Sequence, residues 1–370
     1  MRRNRVRLSH TGPEILQNAA MMIETPSPTS ARAPGFHTSP ARPLALLARC
    51  PAHAPTPLRE APRLAARLGL DQLWIKDESP RMGLGSFKAL GGAFAVAQMI
   101  LDSAGTDDPM DPQAQAVARD MTFITASAGN HGLSVAAGAR VFSARARVVL
   151  SASVPQAFAR RIEAMGAEVI RVDGSYEDSV AEAVRLAEVQ GWIHLADGSW
   201  SGYTAAPALI MEGYTVLAEE CRAAFAGRGQ WPTHVFLQAG VGGLAAATAA
   251  HIRESWDQQP EVIVVEPEAA PCLLRSVAAG ALTRGDGPVS AMGRLDCKDA
   301  SLLAYQTLRH DADRFVTVTE DQAAQAVTLL AEGAALATTP SGAAGLAALL
   351  AADLPAQARA LVILSEGPEG

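Results

Sequence analysis

Thr233-His234-Val235-Phe236-Leu237-Gln238-Ala239-Gly240-Val241-Gly242-Gly243-Leu244-Ala245 runs from an apolar strand, through a glycine turn, into an alanine-rich helix. A strand that hands over to a helix across so short a turn is the repeating unit of a parallel α/β sheet. Consecutive glycines at a helix start bare several backbone N–H groups, which together favour an anionic phosphate. The stretch also matches G-x-G-x-x-A, and the next apolar run, residues 262–265, ends on the acid Glu266, as in a dinucleotide-binding unit. Close helix–strand packing is the plainer alternative for the glycines. The turn points to a phosphate without saying which one.

The same alternation continues in both directions. Residues 73–76, 121–125, 146–150, 167–172 and 360–364 read as short strands. A helix is expected over 155–165, closed by Gly166 in the left-handed conformation. Strands and helices alternating at this spacing imply parallel sheets with right-handed crossovers. The expected fold class is therefore α/β: two three-layer α/β domains with mainly parallel sheets and a cleft between them. Residues 1–42 are expected to be a disordered or loosely packed arm. Their first seven residues are basic without a following apolar run, and 25–43 are rich in Pro, Ser, Thr and Ala.

Composition narrows the function classes. With 370 residues, 49% hydrophobic and 19% charged, the chain has enough material for two cores. A net charge of −7 gives no long-range attraction to nucleic acid or to an anionic membrane, and no apolar stretch is long enough to span one. The four cysteines stand far apart and the eight histidines show no zinc-ligand spacing, so neither a disulfide framework nor a metal site is expected. The thiols and the missing signal suggest a cytoplasmic location.

Only three lysines occur, Lys76, Lys88 and Lys298. Lys88 sits in Leu84-Gly85-Ser86-Phe87-Lys88-Ala89-Leu90-Gly91-Gly92, between a glycine turn and an apolar run with helical spacing. Among apolar neighbours its ammonium is poorly solvated, so a neutral, nucleophilic amine becomes accessible, as a Schiff-base lysine requires. Ser127-Ala128-Gly129-Asn130-His131-Gly132 is a second glycine-flanked loop after a strand, and Asn130 offers an uncharged amide. Leu364-Ser365-Glu366-Gly367 places a hydroxyl after the last strand. Lysine, phosphate cradle, amide and hydroxyl jointly suit pyridoxal phosphate, whereas a nicotinamide-dependent oxidoreductase leaves Lys88 and Asn130 unexplained.

Ser86-Phe87-Lys88, Ser127 to Gly132, Gly240-Val241-Gly242-Gly243 and Ser365-Glu366-Gly367 together resemble the motif set of the fold-type II pyridoxal-phosphate enzymes, built like tryptophan synthase β. Within that group, Lys76-Asp77-Glu78-Ser79-Pro80-Arg81, Trp200-Ser201-Gly202-Tyr203-Thr204 with Met211-Glu212-Gly213-Tyr214, and Ala291-Met292-Gly293-Arg294 are most similar to the diaminopropionate ammonia-lyases. The resemblance implies a large cofactor-binding domain of residues 43–85 and 194–370, a small domain of 86–193, and a homodimer. It implies that Lys88 carries the cofactor and serves as base at Cα. Gly240, Val241, Gly242 and Gly243 would hold the phosphate, Asn130 the phenolic oxygen, and Ser365 would face the pyridine nitrogen. Ser127, Ala128, Gly129 and His131 would line the substrate, a small amino acid. Asp197 matches a family acid near the substrate's amino group, although a helix N-cap is an equal reading of it. The implied reaction is α,β-elimination of ammonia from 2,3-diaminopropionate. Two departures stand out: Ala128 replaces an aspartate of the family, and Pro340 replaces an acid before Ser341-Gly342-Ala343. These keep open a dehydratase of serine, threonine or 3-hydroxyaspartate. Ala128 further limits the expected substrate to the L-isomer.

Overall fold

The computed structural model describes residues 21–25, 35–127 and 129–368. Ala128 and most of the N-terminal arm lie outside the described residues.

Eleven strands are present among them: β1 (Met22–Glu24), β2 (Leu58–Glu60), β3 (Gln72–Asp77), β4 (Thr122–Ala126), β5 (Arg145–Ser151), β6 (Glu168–Val172), β7 (Ile193–His194), β8 (His234–Gln238), β9 (Glu261–Pro267), β10 (Arg314–Val318) and β11 (Arg359–Leu364). They form two sheets. The larger has the order β1-β10-β9-β8-β11-β3-β2 and the smaller β6-β5-β4-β7. All pairings are parallel except the two outermost of the large sheet, where β1 runs against β10 and β2 against β3.

Except for 167–172, which forms the half-buried edge strand β6, the apolar runs read from sequence fall on interior strands, which are largely buried and so read as continuous hydrophobic runs. β1, β2 and β7 have two or three residues each, too few for a period to show. β10 was also not expected, although its Phe315 and Val318 are buried. Met22–Glu24, within the arm expected to be loose, is docked as an edge strand on β10. The helix expected over 155–165 runs Gln156–Ala164, with Gly166 at φ +87°.

Contacts group the chain into two compact units. One contains Leu58–Asp77 and Ala224–Gly370 with β1, and the other Pro34–Pro57 and Glu78–Ala223. In the first unit, helix Pro340–Ala351 is buried from Ser341 through Leu349. Only Ala, Gly, Ser and Leu occur there, and a Cβ on Gly345 would stand 3.3 Å from the Phe236 carbonyl of β8. In the second unit, helices Lys88–Ala104, Asn130–Phe142 and Ala205–Arg228 approach at glycines. A Cβ on Gly213 would meet the Leu90 carbonyl at 2.5 Å, one on Gly138 the Ala93 Cα at 2.8 Å, and one on Gly92 the Ser134 hydroxyl at 2.5 Å. Among the described residues no helix is long and apolar enough to cross a membrane.

Because the obstacle at Gly213 is backbone, it cannot swing aside as a side chain would. Gly213→Ala is expected to cost about 1–3 kcal/mol by overpacking, read as a lower denaturant midpoint. An unchanged midpoint would show that the helices part at no cost.

Candidate active site

Lys88 is the first residue of helix Lys88–Ala104. Gly85 at φ +86° turns the chain into that helix, a conformation that side chains with a Cβ rarely adopt. Behind Lys88, Ala89, Leu90, Gly91 and Gly92 are all buried, and a Cβ on Gly91 would overlap the Tyr214 ring. Glycines at 91 and 92 let neighbouring helices close onto this first turn, which anchors the lysine's backbone.

The Lys88 ammonium pairs with the Asp197 carboxylate. Both side chains are about one-fifth exposed, at 19% and 23%. Burial by itself would raise the Asp197 carboxyl, but the charge of Lys88, that of His131 when its ring is protonated, and the lysine's hydrogen bond outweigh it. Asp197 is held well below the usual carboxylate range. It therefore stays ionised, and it serves as an ion-pair partner and not as a helix N-cap: the next helix begins at Ala205.

His131 is buried, and its Nε2 lies 2.8 Å from the Leu195 carbonyl. A carbonyl can only accept, so Nε2 carries a hydrogen and donates it to Leu195. Burial lowers the ring's basicity, the Asp197 charge opposes that, and the net direction is down. Its Nδ1 and the Tyr214 hydroxyl are buried with no hydrogen-bond partner among the described residues. Tyr214 packs edge-on to Phe87 at 4.9 Å, and burial raises its phenol. Ser127 and Gly129 to His131 bridge β4 and helix Asn130–Phe142, where the Ser127 hydroxyl accepts the Gly129 N–H at 3.3 Å. A Cβ on Gly132 would stand 2.4 Å from the Ser127 carbonyl, so only glycine lets this loop fold back on the helix.

The other unit holds the remaining expected residues. Gly240, Val241, Gly242 and Gly243 join β8 to helix Gly243–Ser255. Gly242 has φ +100°, and a Cβ there would lie 2.8 Å from Ala304 and Leu273 side-chain atoms. A Cβ on Gly240 would lie 2.9 Å from the Cys297 sulfur. Backbone N–H groups at a helix start, with no side chain able to cover them, fit a phosphate. Ser365 is buried directly after β11. Sequence reading passed over its neighbour Glu366. That side chain accepts the Thr339 hydroxyl at 2.5 Å and lies 3.7 Å from Arg294, while its carbonyl accepts the Thr338 hydroxyl at 2.5 Å. The two threonines before Pro340 carried the signal. Their hydroxyls anchor the residue after Ser365.

Comparison with known proteins follows the same lines. The family described as "Pyridoxal-phosphate dependent enzyme" matches residues 50–366. Diaminopropionate ammonia-lyase of Escherichia coli (strain K12) is 33% identical over 319 residues, covering 84% of this chain and 80% of that protein. The crystal structure of the Escherichia coli enzyme in complex with D-serine superposes with a TM-score of 0.82 at 30% identity, covering 94% of each chain. A second structure of that enzyme, holding an aminoacrylate–pyridoxal phosphate azomethine reaction intermediate, gives a TM-score of 0.82 at 31% identity over 94% of each chain.

Glu266, the acid that suggested a dinucleotide ribose, has another task. It is fully buried, and its two carboxylate oxygens accept the Leu273 and Leu274 N–H groups at 2.8 and 2.7 Å, capping helix Cys272–Ala279. Burial pushes its carboxyl up to about 8, against the pull of those two bonds. Glu266→Ala orphans two buried donors at about 1–3 kcal/mol each. A lower denaturant midpoint with unchanged cofactor content is the expected result. Lost cofactor at undiminished stability would return Glu266 to ligand binding.

Proposed function

Because the chain belongs to the pyridoxal-phosphate dependent enzymes, we propose that it is a carbon–nitrogen lyase that eliminates ammonia from 2,3-diaminopropionate, with aminoacrylate hydrolysing to pyruvate and a second ammonia. Pyridoxal phosphate is its cofactor. When bound, that group withdraws electrons from Cα and so acidifies the Cα–H bond.

The observation that carries this reading is the ion pair of Lys88 with Asp197. A carboxylate held ionised suits a substrate with a second ammonium group. A serine or threonine hydroxyl would give it no charge to bind. Lys88 is the residue proposed to hold the cofactor through Nζ and, once displaced by substrate, to accept the proton from Cα. Asp197, its lysine partner then occupied elsewhere, would bind the β-ammonium. The β-nitrogen leaves as neutral ammonia with the electrons of the Cβ–N bond, so a permanently ionised Asp197 need donate no proton.

The glycine run 240–243 is assigned to the phosphate, supported by its bare N–H groups at a helix start. Asn130 is assigned to the phenolic oxygen and Ser365 to the pyridine nitrogen. A neutral hydroxyl there gives a modest electron sink, adequate where the leaving group departs before a long-lived carbanion is needed. Ser127, Gly129 and His131 are assigned to the substrate's α-carboxylate side, where the start of helix Asn130–Phe142 favours an anion. Ala128 lies outside the described residues, and its role rests on its identity: a methyl group cannot take a proton. The same reading makes the enzyme a homodimer of the cytoplasm.

A dehydratase of hydroxyamino acids is the second reading, favoured by Pro340 where the lyases carry an acid. The products separate the two. Two ammonia per pyruvate from 2,3-diaminopropionate is expected, and turnover of serine or threonine at one to one, with none of the diamine, would replace the lyase reading. Only the L-isomer is expected to react, and equal turnover of both isomers would refute Lys88 as the sole base. Lys88→Ala should abolish the yellow, borohydride-sensitive absorbance of the purified protein, and retention of that band would move the cofactor to another lysine.

A further inference from the structure

We propose that Tyr203 is a positioning residue for Asp197, its hydroxyl clamping the backbone that carries the carboxylate into place. This rests on the reading above in which Asp197 binds the β-ammonium. β7 is two residues long and its ladder to β4 ends at His194. Beyond it, the Leu195 N–H still donates to the Ile124 carbonyl at 2.8 Å. Side chains hold the rest of this segment.

The Tyr203 hydroxyl donates to the His194 carbonyl at 2.8 Å and accepts the Ala196 N–H at 3.0 Å. The intervening Leu195 carbonyl is taken by His131. Three consecutive residues ahead of Asp197 are thus tied, two of them by one oxygen atom. Phenylalanine would keep the ring and remove both bonds. A hydroxyl suits this double role because it donates and accepts at once.

Tyr203 is itself held rigidly. Trp200 and Tyr203 exchange backbone hydrogen bonds at 3.2 and 2.9 Å across a turn that Gly202 permits at φ +85°. The Trp200 ring stacks on Tyr203 at 4.3 Å, and the His194 ring lies 5.2 Å away. The turn folds back onto the segment it follows, so Tyr203 reaches residues seven and nine positions earlier. Burial pushes its phenol up to about 12, which keeps the donor proton on it through the working pH range.

The ionisable groups acting on or with Asp197 are Lys88 and His131 from their helices, Tyr203 from the turn and Tyr214 from helix Ala205–Arg228. His194, whose ring burial pushes down to about 4, is neutral near pH 7. The charge and hydrogen bond of Lys88, a backbone hydrogen bond and, once its ring is protonated, His131 pull the Asp197 carboxyl down. A loosened segment that moves it away from them lets its pKa climb toward the ordinary value of about 4. Activity that needs the carboxylate falls as pH drops through that pKa, so the acid limb of kcat shifts to higher pH.

The test uses the holoenzyme with L-2,3-diaminopropionate in a cycle of Tyr203→Phe, Asp197→Asn and the double variant. Tyr203→Phe is expected to lower kcat at least tenfold, move the acid limb upward and speed amide exchange in a peptide spanning 193–199. In the Asp197→Asn background it should lower kcat no further. Trp200→Ala, which keeps the hydroxyl but removes the ring stacked on Tyr203, should lower kcat less than Tyr203→Phe does, and an equal loss there would assign the effect to ring packing and overturn the proposal. So would an unmoved acid limb, or the same fold loss with and without Asp197. Wild-type turnover by Asp197→Asn would instead remove the role of Asp197 itself, whereas an impaired Asp197→Asn beside an unimpaired Tyr203→Phe fails the clamp alone.

Discussion

The ion pair between Lys88 and Asp197 is worth little unless neither backbone can retreat. A lysine has four rotatable side-chain bonds, and an exposed pair of this kind contributes almost nothing. Here the amine's base lies on a helix turn crowded by Gly91 and Gly92, with Tyr214 and Ser134 where side chains would otherwise stand. The carboxylate's base lies three residues beyond a strand that has already ended. One end is fixed by the absence of side chains and the other by side chains that replace a ladder. The electrostatics of Asp197 follow from both.

That contrast explains what could be read in advance. Lys88 was recognisable because a scarce residue type stood at a turn–helix junction, and the glycine runs because only glycine serves there. The central strands announced themselves by their apolar character, and the parallel sheets followed. Which backbone groups a given side chain bonds was not readable, even a few residues away. Tyr203 looked like any core aromatic until its oxygen met two backbone groups, and Asp197 was as good a cap as a counter-ion. Glu266 is the instructive case. Its place after a strand matched a ribose-binding acid, yet the local pattern could not tell a ligand hydroxyl from the N–H groups of the next helix.

The two units satisfy their buried polar groups differently. In the one bearing Lys88, Arg81 is fully buried and bonded to Glu78, Glu220 and Thr56, so residues distant in sequence share one ionic cluster. Breaking such a cluster by removing one partner strands the others in a medium that cannot solvate them. In the other, Gln238 donates to the Gly342 and Ile363 carbonyls at 3.3 and 2.9 Å, tying the end of β8 to helix Pro340–Ala351 and to β11. Both devices lie next to segments that carry the proposed chemistry.

The position of β11 also bears on how the protein is made. It lies between β8 and β3, and these two meet no common partner in the sheet except β11. During synthesis, β1, β2 and β3 emerge first, then β8, β9 and β10, and the β2–β3 pair has no strand to join it to the β8–β10 group until residues 359–364 leave the ribosome. The strands on either side of β11 in this sheet therefore wait, with apolar edges open, for it to arrive. Folding of this unit is late and nearly all-or-none, and the nascent chain is most exposed to aggregation and chaperone capture just before this joining strand arrives.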